Sequence, residues 1–407
     1  MIYGVGTHTT IAHSPFIRAA IKDLNLKSIR QELWWASMEL PDGSLQINPG
    51  YADRLATMES VGSDNITILM YGSTVRNIGQ PYTQAERDQF LDYVRFVLPY
   101  VSPHCKYIEI WNEWNIGAGA SAAQRTSGQH SGIAEYVALC ATVAPIIREL
   151  APNAIILGGA TAGHAKAWFG PACDAGLLQY VDAVSCHPYN HSNVTTHRPE
   201  DAIQDLDGLQ ILLRTKNGGN DLDVYITEMG WPTHTAGHEA AKVAGYLTRF
   251  YKLAEKRAWI KGVWWYDLLD DGVDATNREF RFGLLASDAK TPKPAYHALK
   301  ALTNREIRDQ YGWCRVAVTA AVQALINAGT LPDRAKRAMS NLRSTNTTVT
   351  IGARTLNVMT GPVDLAVLDD IGERWADDFH IIEGPVVRGQ VPAQTTVTLD
   401  STWPNGW

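Results

Sequence analysis

The sequence predicts an α/β fold: a (β/α)8 barrel over residues 1–302, then a small α+β accessory region over residues 303–407. Three observations lead there. The chain has 407 residues, more than the roughly 250 of one barrel, so two domains are expected. Short β-branched runs alternate with longer amphipathic stretches through the first three hundred residues, which means parallel strands joined by right-handed crossovers. Finally, the units number eight, the count that closes a barrel. An open doubly wound sheet would normally carry a glycine-rich phosphate turn after strand 1, and Gly4-Val5-Gly6-Thr7-His8 lacks the third glycine.

In order, the strand-like runs are Ile2–Gly6, Ser28–Glu32, Ile66–Tyr71, Tyr107–Trp111, Ala154–Gly158, Ala183–His187, Val224–Glu228 and Gly262–Tyr266. Between them the 3.6-residue period predicts helices over Gln84–Val97, Gly132–Leu150, Glu200–Arg214 and Glu239–Lys256, with Thr83 and Ser131 as caps for the first two. The barrel region closes with Pro292-Lys-Pro-Ala-Tyr296 and a last helix to about Leu302. Beyond it, residues 314–343 are Ala-rich and helical in period with a break at Gly329–Pro332. Strand-like runs follow at Thr348–Ile351, Thr355–Val358, Leu365–Leu368 and Thr396–Leu399.

The hydrophobic fraction of 45% supports a full core. A net charge of −6 without a Lys/Arg block excludes nucleic acid as the main partner. No run approaches 18 uninterrupted apolar residues, so no membrane span is expected. MIYGVGTHTT lacks the parts of a secretory signal. The literal reading is therefore cytoplasmic, with action outside the cell or on a virion left open. Five cysteines make no C-x-x-C pair, which implies neither a zinc site nor a disulfide framework. No cofactor and no metal are expected: His191, His197, His234 and His238 lack ligand spacing. Asp267, Asp270, Asp271 and Asp274 read as a solvated acidic loop.

Function in a barrel belongs at the C-terminal ends of the strands. Strand 4 ends in Trp111-Asn-Glu-Trp-Asn115 and strand 7 in Glu228-Met-Gly-Trp-Pro232. Each delivers a glutamate, Glu113 and Glu228, to the rim. Two facing carboxylates are what glycosidic cleavage needs, one to protonate the leaving oxygen and one to attack or to activate water. Asn112 can bond a sugar 2-hydroxyl, provided the strand breaks so that Asn112 and Glu113 both face the mouth. Glu109 lies deeper and reads as a structural charge paired with Arg30. The tryptophans are in excess, 13 against 8 Phe. Trp34, Trp35, Trp111, Trp114, Trp231, Trp264 and Trp265 fall at or just past strand ends, where flat rings can stack on sugar C–H faces.

These frames resemble the retaining glycoside hydrolases of clan A. Within the clan, Ile29-Arg-Gln-Glu-Leu-Trp-Trp35, Met38-Glu39, Gly43, Tyr71-Gly72, Glu109–Asn115 and Pro292–Tyr296 are similar to glycoside hydrolase family 39 and its relatives that cut bacterial exopolysaccharides. The Gly-Trp-Pro after Glu228 is also similar to family 17. The resemblance implies that Glu113 is the acid/base and Glu228 the nucleophile, steadied by Arg30 and by the hydroxyl of Tyr189. It places His187 in a His-x-Tyr frame and makes Trp265, or else Trp264, the sugar platform. Trp231, Trp114 and His8 are further candidates for the substrate site. Ser73 stands where relatives often carry Asn. The expectation is a retaining β-glycosidase that cleaves a polysaccharide internally, its carboxyl groups about 5–5.5 Å apart, with residues Asn190–Pro199 over the cleft. A non-catalytic carbohydrate-binding or structural barrel, as in a phage or surface assembly, and a transglycosylase on the same site are the alternatives.

Overall fold

The structure is a computed structural model that describes residues 1–8, 11–192, 197–303, 311–331, 342–351, 354–364 and 379–387. It packs as two compact units. The first comprises Met1–Trp231, Tyr251–Asp274 and Glu279–Thr291; the second comprises Pro232–Phe250, Ala275–Arg278 and Pro292–Trp407, and so takes in residues on both sides of position 302.

The first unit holds a closed parallel barrel of eight strands in sequence order, a TIM barrel. The strands are β1 (Ile2–Thr7), β2 (Ser28–Trp34), β3 (Asn65–Met70), β4 (Cys105–Ile110), β5 (Ile155–Ala162), β6 (Ala183–His187), β7 (Val224–Met229) and β8 (Ile260–Trp265). The amphipathic stretches form the helices Gln84–Val101, Ile133–Leu150, Pro199–Lys216 and Ala240–Glu255. Thr83 closes a capping box with Glu86, whereas Gly132, not Ser131, occupies the cap position of the second helix.

Strand alternation turns every second residue into the barrel. The floor layer packs Ile66, Tyr107, Leu157, Ala183, Tyr225 and Trp264 together. The indole of Trp264 spans this floor and donates from Nε1 to Ser28 Oγ at 3.0 Å. It fits because its inward-facing neighbours are glycines: a Cβ on Gly4 or Gly262 would sit 2.2–2.3 Å from the ring.

In the second unit, β9 (Tyr311–Val318), β10 (Arg343–Ile351), β11 (Arg354–Asp364) and β12 (Phe379–Val387) form an antiparallel sheet in the order β10-β11-β9-β12. The helical period expected from residue 314 starts later. Residues 314–318 belong to β9, and the helix runs Ala320–Ala328, capped by the Thr319 side chain and ended by Gly329 in the left-handed region. The runs Leu365–Leu368 and Thr396–Leu399 lie outside the described residues. No described helix is long and apolar enough to cross a membrane.

Candidate active site

The site grows from β2. Ser28, Arg30, Glu32 and Trp34 alternate inward along this strand, from floor to rim. The guanidinium of Arg30, fully desolvated, donates from Nε to Glu109 Oε2 at 2.8 Å, from Nη1 to Glu228 Oε1 and from Nη2 to Asn112 Oδ1 at 2.8 Å. Both partners considered for Arg30, Glu109 and Glu228, are therefore engaged at once. A buried cation is tolerable only when paired in this way. Burial opposes the charge of Arg30, and Glu109 and Glu228 more than restore it.

β4 delivers Glu113 by breaking. The strand ends at Ile110; Trp111 and Glu113 then take left-handed φ values of 66° and 47°. Such values are sparsely populated outside glycine and are held by the surroundings. Here the Trp111 N–H donates to Leu69 O at 2.9 Å and the Glu113 N–H to Ala160 O at 2.8 Å. β7 delivers Glu228 by slipping. Its register with β8 shifts between Ile226 and Met229, so Thr227 and Glu228 both reach the site, as a bulge allows.

Tyr189 and His187 hold the two carboxylates from the β6 side. Tyr189 Oη donates to Glu228 Oε2 at 2.9 Å. His187 places Nδ1 3.0 Å from Glu113 Oε1 and 3.6 Å from Glu228 Oε2. Its Nε2 faces Thr227 Oγ1 at 3.2 Å and Arg30 Nη2 at 3.5 Å. Arginine only donates, so Nε2 accepts and Nδ1 carries the proton towards Glu113. Burial lowers the pKa of His187, but Glu228 and the bond to Glu113 outweigh it and the net shift is upward. Burial, then Glu228, holds the Tyr189 phenol far above its ordinary value, so it stays a neutral donor. Oxygens of Glu113 and Glu228 and Nδ1 of His187 lie within 4.8 Å of one another.

His8 joins at the rim of β1. Its Nδ1 lies 3.0 Å from Asp271 Oδ1 and 3.2 Å from Asp267 Oδ2, and its Nε2 lies 3.7 Å from Glu32 Oε1. Burial opposes protonation of His8, and its carboxylate neighbours raise its pKa overall. In exchange, and against desolvation, His8 and Arg30 hold the Glu32 carboxyl down to about 2. His8, Asp267 and Asp271, like Glu113, His187 and Glu228, are close enough to share a cation; in each set the imidazole Nδ1 faces the carboxylates and a donated proton fills that role.

The acidic loop after β8 is solvated only in part, at Asp271 and Asp274, which corrects the expectation for the other two aspartates. Asp267 and Asp270 are buried, Asp267 accepting the Leu269 N–H at 2.5 Å and Asp270 the Gly283 N–H at 2.9 Å. A second correction concerns the aromatic platform. Trp265 and Trp231 are fully buried with ring centroids 6.0 Å apart. Trp114 is likewise buried, stacked on Tyr82 and bonded through Nε1 to Gly132 O. Trp264 lies in the floor. None offers a face to a ligand. Tyr266, of the same parity as Trp264, takes the rim position instead, half-buried beside His8, Tyr189 and Phe282. Alternation along β8 already contained that signal. Glu32 carried the same kind of signal, by its parity with Arg30. Tyr71, whose hydroxyl bonds Asn112, also lies in the mouth. Ser73 is buried, bonded to Glu39 and to the Arg76 N–H, and holds a loop in place. Of Asn190–Pro199, residues 193–196 lie outside the described residues.

No family model matches the sequence, and no curated protein does. Among solved structures, the chain is similar to a family 39 glycoside hydrolase from Bacteroides cellulosilyticus WH2, with a TM-score of 0.65 and 19% identity over 89% of this chain and 80% of that one. It is similar to the family 39 enzyme of Xanthomonas axonopodis pv. citri, with a TM-score of 0.56 and 14% identity over 89% and 94%. A monomeric β-xylosidase of Caulobacter crescentus CB15 gives 0.55 and 14% over 89% and 96%. The fold is that of these glycoside hydrolase structures.

Proposed function

We propose that the chain is a retaining β-glycoside hydrolase that works by double displacement. The observation that carries this reading is the pair Glu113 and Glu228, with oxygens within 4.8 Å of each other and unequal surroundings. A gap of about 5–5.5 Å between carboxyl groups suits direct attack on the sugar, whereas inversion needs about 6.5–9.5 Å to fit a water.

Glu228 accepts from Arg30 and Tyr189, donors that favour the ionised form a nucleophile needs. Among the described residues, the Glu113 carboxyl meets the His187 N–H at 3.0 Å, and it keeps 21% of its side chain open, as a group exchanging protons with a leaving group and then with water requires. In the first step a Glu228 oxygen bonds to the anomeric carbon while the glycosidic oxygen leaves with the proton of Glu113. In the second, Glu113 takes a proton from water, the water oxygen bonds to the anomeric carbon, and Glu228 departs as carboxylate. Asn112, its Oδ1 engaged by Arg30, turns its amide N–H towards the sugar 2-hydroxyl. No cofactor is used. The substrate is a β-linked polysaccharide cut internally.

Proton NMR of the first sugar released from a β-glycoside tests the mechanism. The β-anomer is expected first; initial release of the α-anomer overturns double displacement.

A further inference from the structure

Trp34 and Trp35 are adjacent in sequence and opposite in fate. Trp35 is fully buried against Phe90 and Tyr93. Trp34, on the inward parity of β2, emerges at the rim with 38% of its surface open. Trp111, Trp114, Trp231, Trp264 and Trp265 are all fully buried. Full burial of a large apolar side chain contributes about 1.5–3 kcal/mol, and Trp34 forgoes part of that by staying 38% open.

Trp34 is fixed at three points. Its Nε1 donates to Glu32 Oε2 at 2.9 Å, its backbone N–H donates to Tyr51 Oη at 3.1 Å, and its ring packs on Tyr71 at 5.6 Å between centroids. The edge is thus bonded and Tyr71 packs on the ring, while 38% of the residue stays open. Glu32 and Tyr71, its two side-chain neighbours, belong to the mouth: Glu32 approaches His8, and Tyr71 bonds Asn112. With a rise of about 3.3 Å per residue, Trp34 stands roughly 13 Å above Arg30 along the strand. Val75, after β3, and Ile116, after β4, are likewise exposed apolar residues past strand ends.

We infer that Trp34 is the stacking platform of an outer subsite, which binds a sugar unit neighbouring the one held over Glu228. The apolar C–H face of a pyranose lies on the open indole, and the Glu32 carboxylate beside it accepts from a ring hydroxyl. This deepens the glycosidase reading and rests on it for the identity of the neighbouring unit: the substrate class is an oligosaccharide or polysaccharide chain, not a simple glycoside.

Two measurements test it. In the first, kcat/KM is compared between β-1,4-linked gluco-, manno- and xylo-oligosaccharides, from disaccharide to hexasaccharide, and the matching glycosyl fluorides. The ratio of oligosaccharide to fluoride falls about tenfold or more in Trp34→Ala and stays within about threefold in Trp34→Phe, which keeps a ring. An unchanged ratio in Trp34→Ala overturns the inference. In the second, the same oligosaccharides are titrated calorimetrically into the Glu228→Gln protein with and without Trp34→Ala. Binding weakens about tenfold; no binding, or binding indifferent to Trp34, overturns the subsite. Trp34-dependent binding by a protein whose wild type hydrolyses none of these substrates sinks the glycosidase reading and leaves the subsite standing. Hydrolysis indifferent to Trp34 does the reverse.

Discussion

The floor and the mouth of the barrel are made from the same inward-facing positions, a few steps apart on the same strands. On the floor those positions hold Gly4, Ser28, Tyr107, Tyr225 and Trp264, packed with Ile66, Leu157 and Ala183. Above it they hold Arg30, Glu109 and His187, and at the rim His8, Glu32 and Tyr266. The apolar layer fills the barrel from below, so the charges above it cannot be solvated from that side and must satisfy one another. Hence Arg30 binds Glu109, Glu228 and Asn112 besides facing His187, and Glu109, though 0% exposed, is paired. Close packing in one layer sets the electrostatics of the next.

Four substitutions separate the layers, from the largest effect to the smallest. Glu228→Gln removes the proposed nucleophile and should lower kcat on the order of 10⁴-fold or more, while Glu109 keeps Arg30 paired and the protein still folds, checked by glycosidase assay and calorimetry. Trp264→Ala should do the opposite. It opens a cavity in the floor and costs about 3–5 kcal/mol in chemical denaturation, while the folded fraction keeps most of its kcat. Tyr189→Phe removes one hydrogen bond to a carboxylate and should lower kcat by about 10–100-fold, with stability falling by no more than the about 1.5–3 kcal/mol such a bond contributes. The last effect is absent near neutral pH and appears only in acid. The Glu32 carboxyl is shifted from its ordinary 4.5 to about 2. Because the folded value is the lower one, the stability it contributes is present above 4.5 and is lost as pH falls through about 2. Wild type should therefore lose up to about 3 kcal/mol more than Glu32→Gln between those limits, read from denaturation series at falling pH.

The strands were legible because alternation and β-branching depend on neighbours along the chain. All eight barrel strands lie within a few residues of where the pattern put them. The glutamate frames were legible as motifs, and the break needed to bring Asn112 and Glu113 to one side is present as left-handed residues at Trp111 and Glu113. The inward turn of Glu228 was not legible, since it depends on a register slip against β8. The platform expected at Trp265 falls to its neighbour by parity: Trp264 points inward, so Trp265 points out and Tyr266 takes the rim. The paired aspartates after β8 depend on His8 and Gly283, contacts that no local pattern announces. In β9 a residue-level period over Ala-rich sequence was overridden by sheet pairing with β11 and β12.

The central claim is that Glu228, steadied by Arg30 and Tyr189, bonds covalently to the sugar. A panel of 2-deoxy-2-fluoro-β-glycosides that slow the second step, followed by peptide mass mapping, tests it directly. The account predicts a single fluoroglycosyl adduct on Glu228, absent from Glu228→Gln. Turnover of the parent glycosides with the adduct on another carboxylate would contradict it.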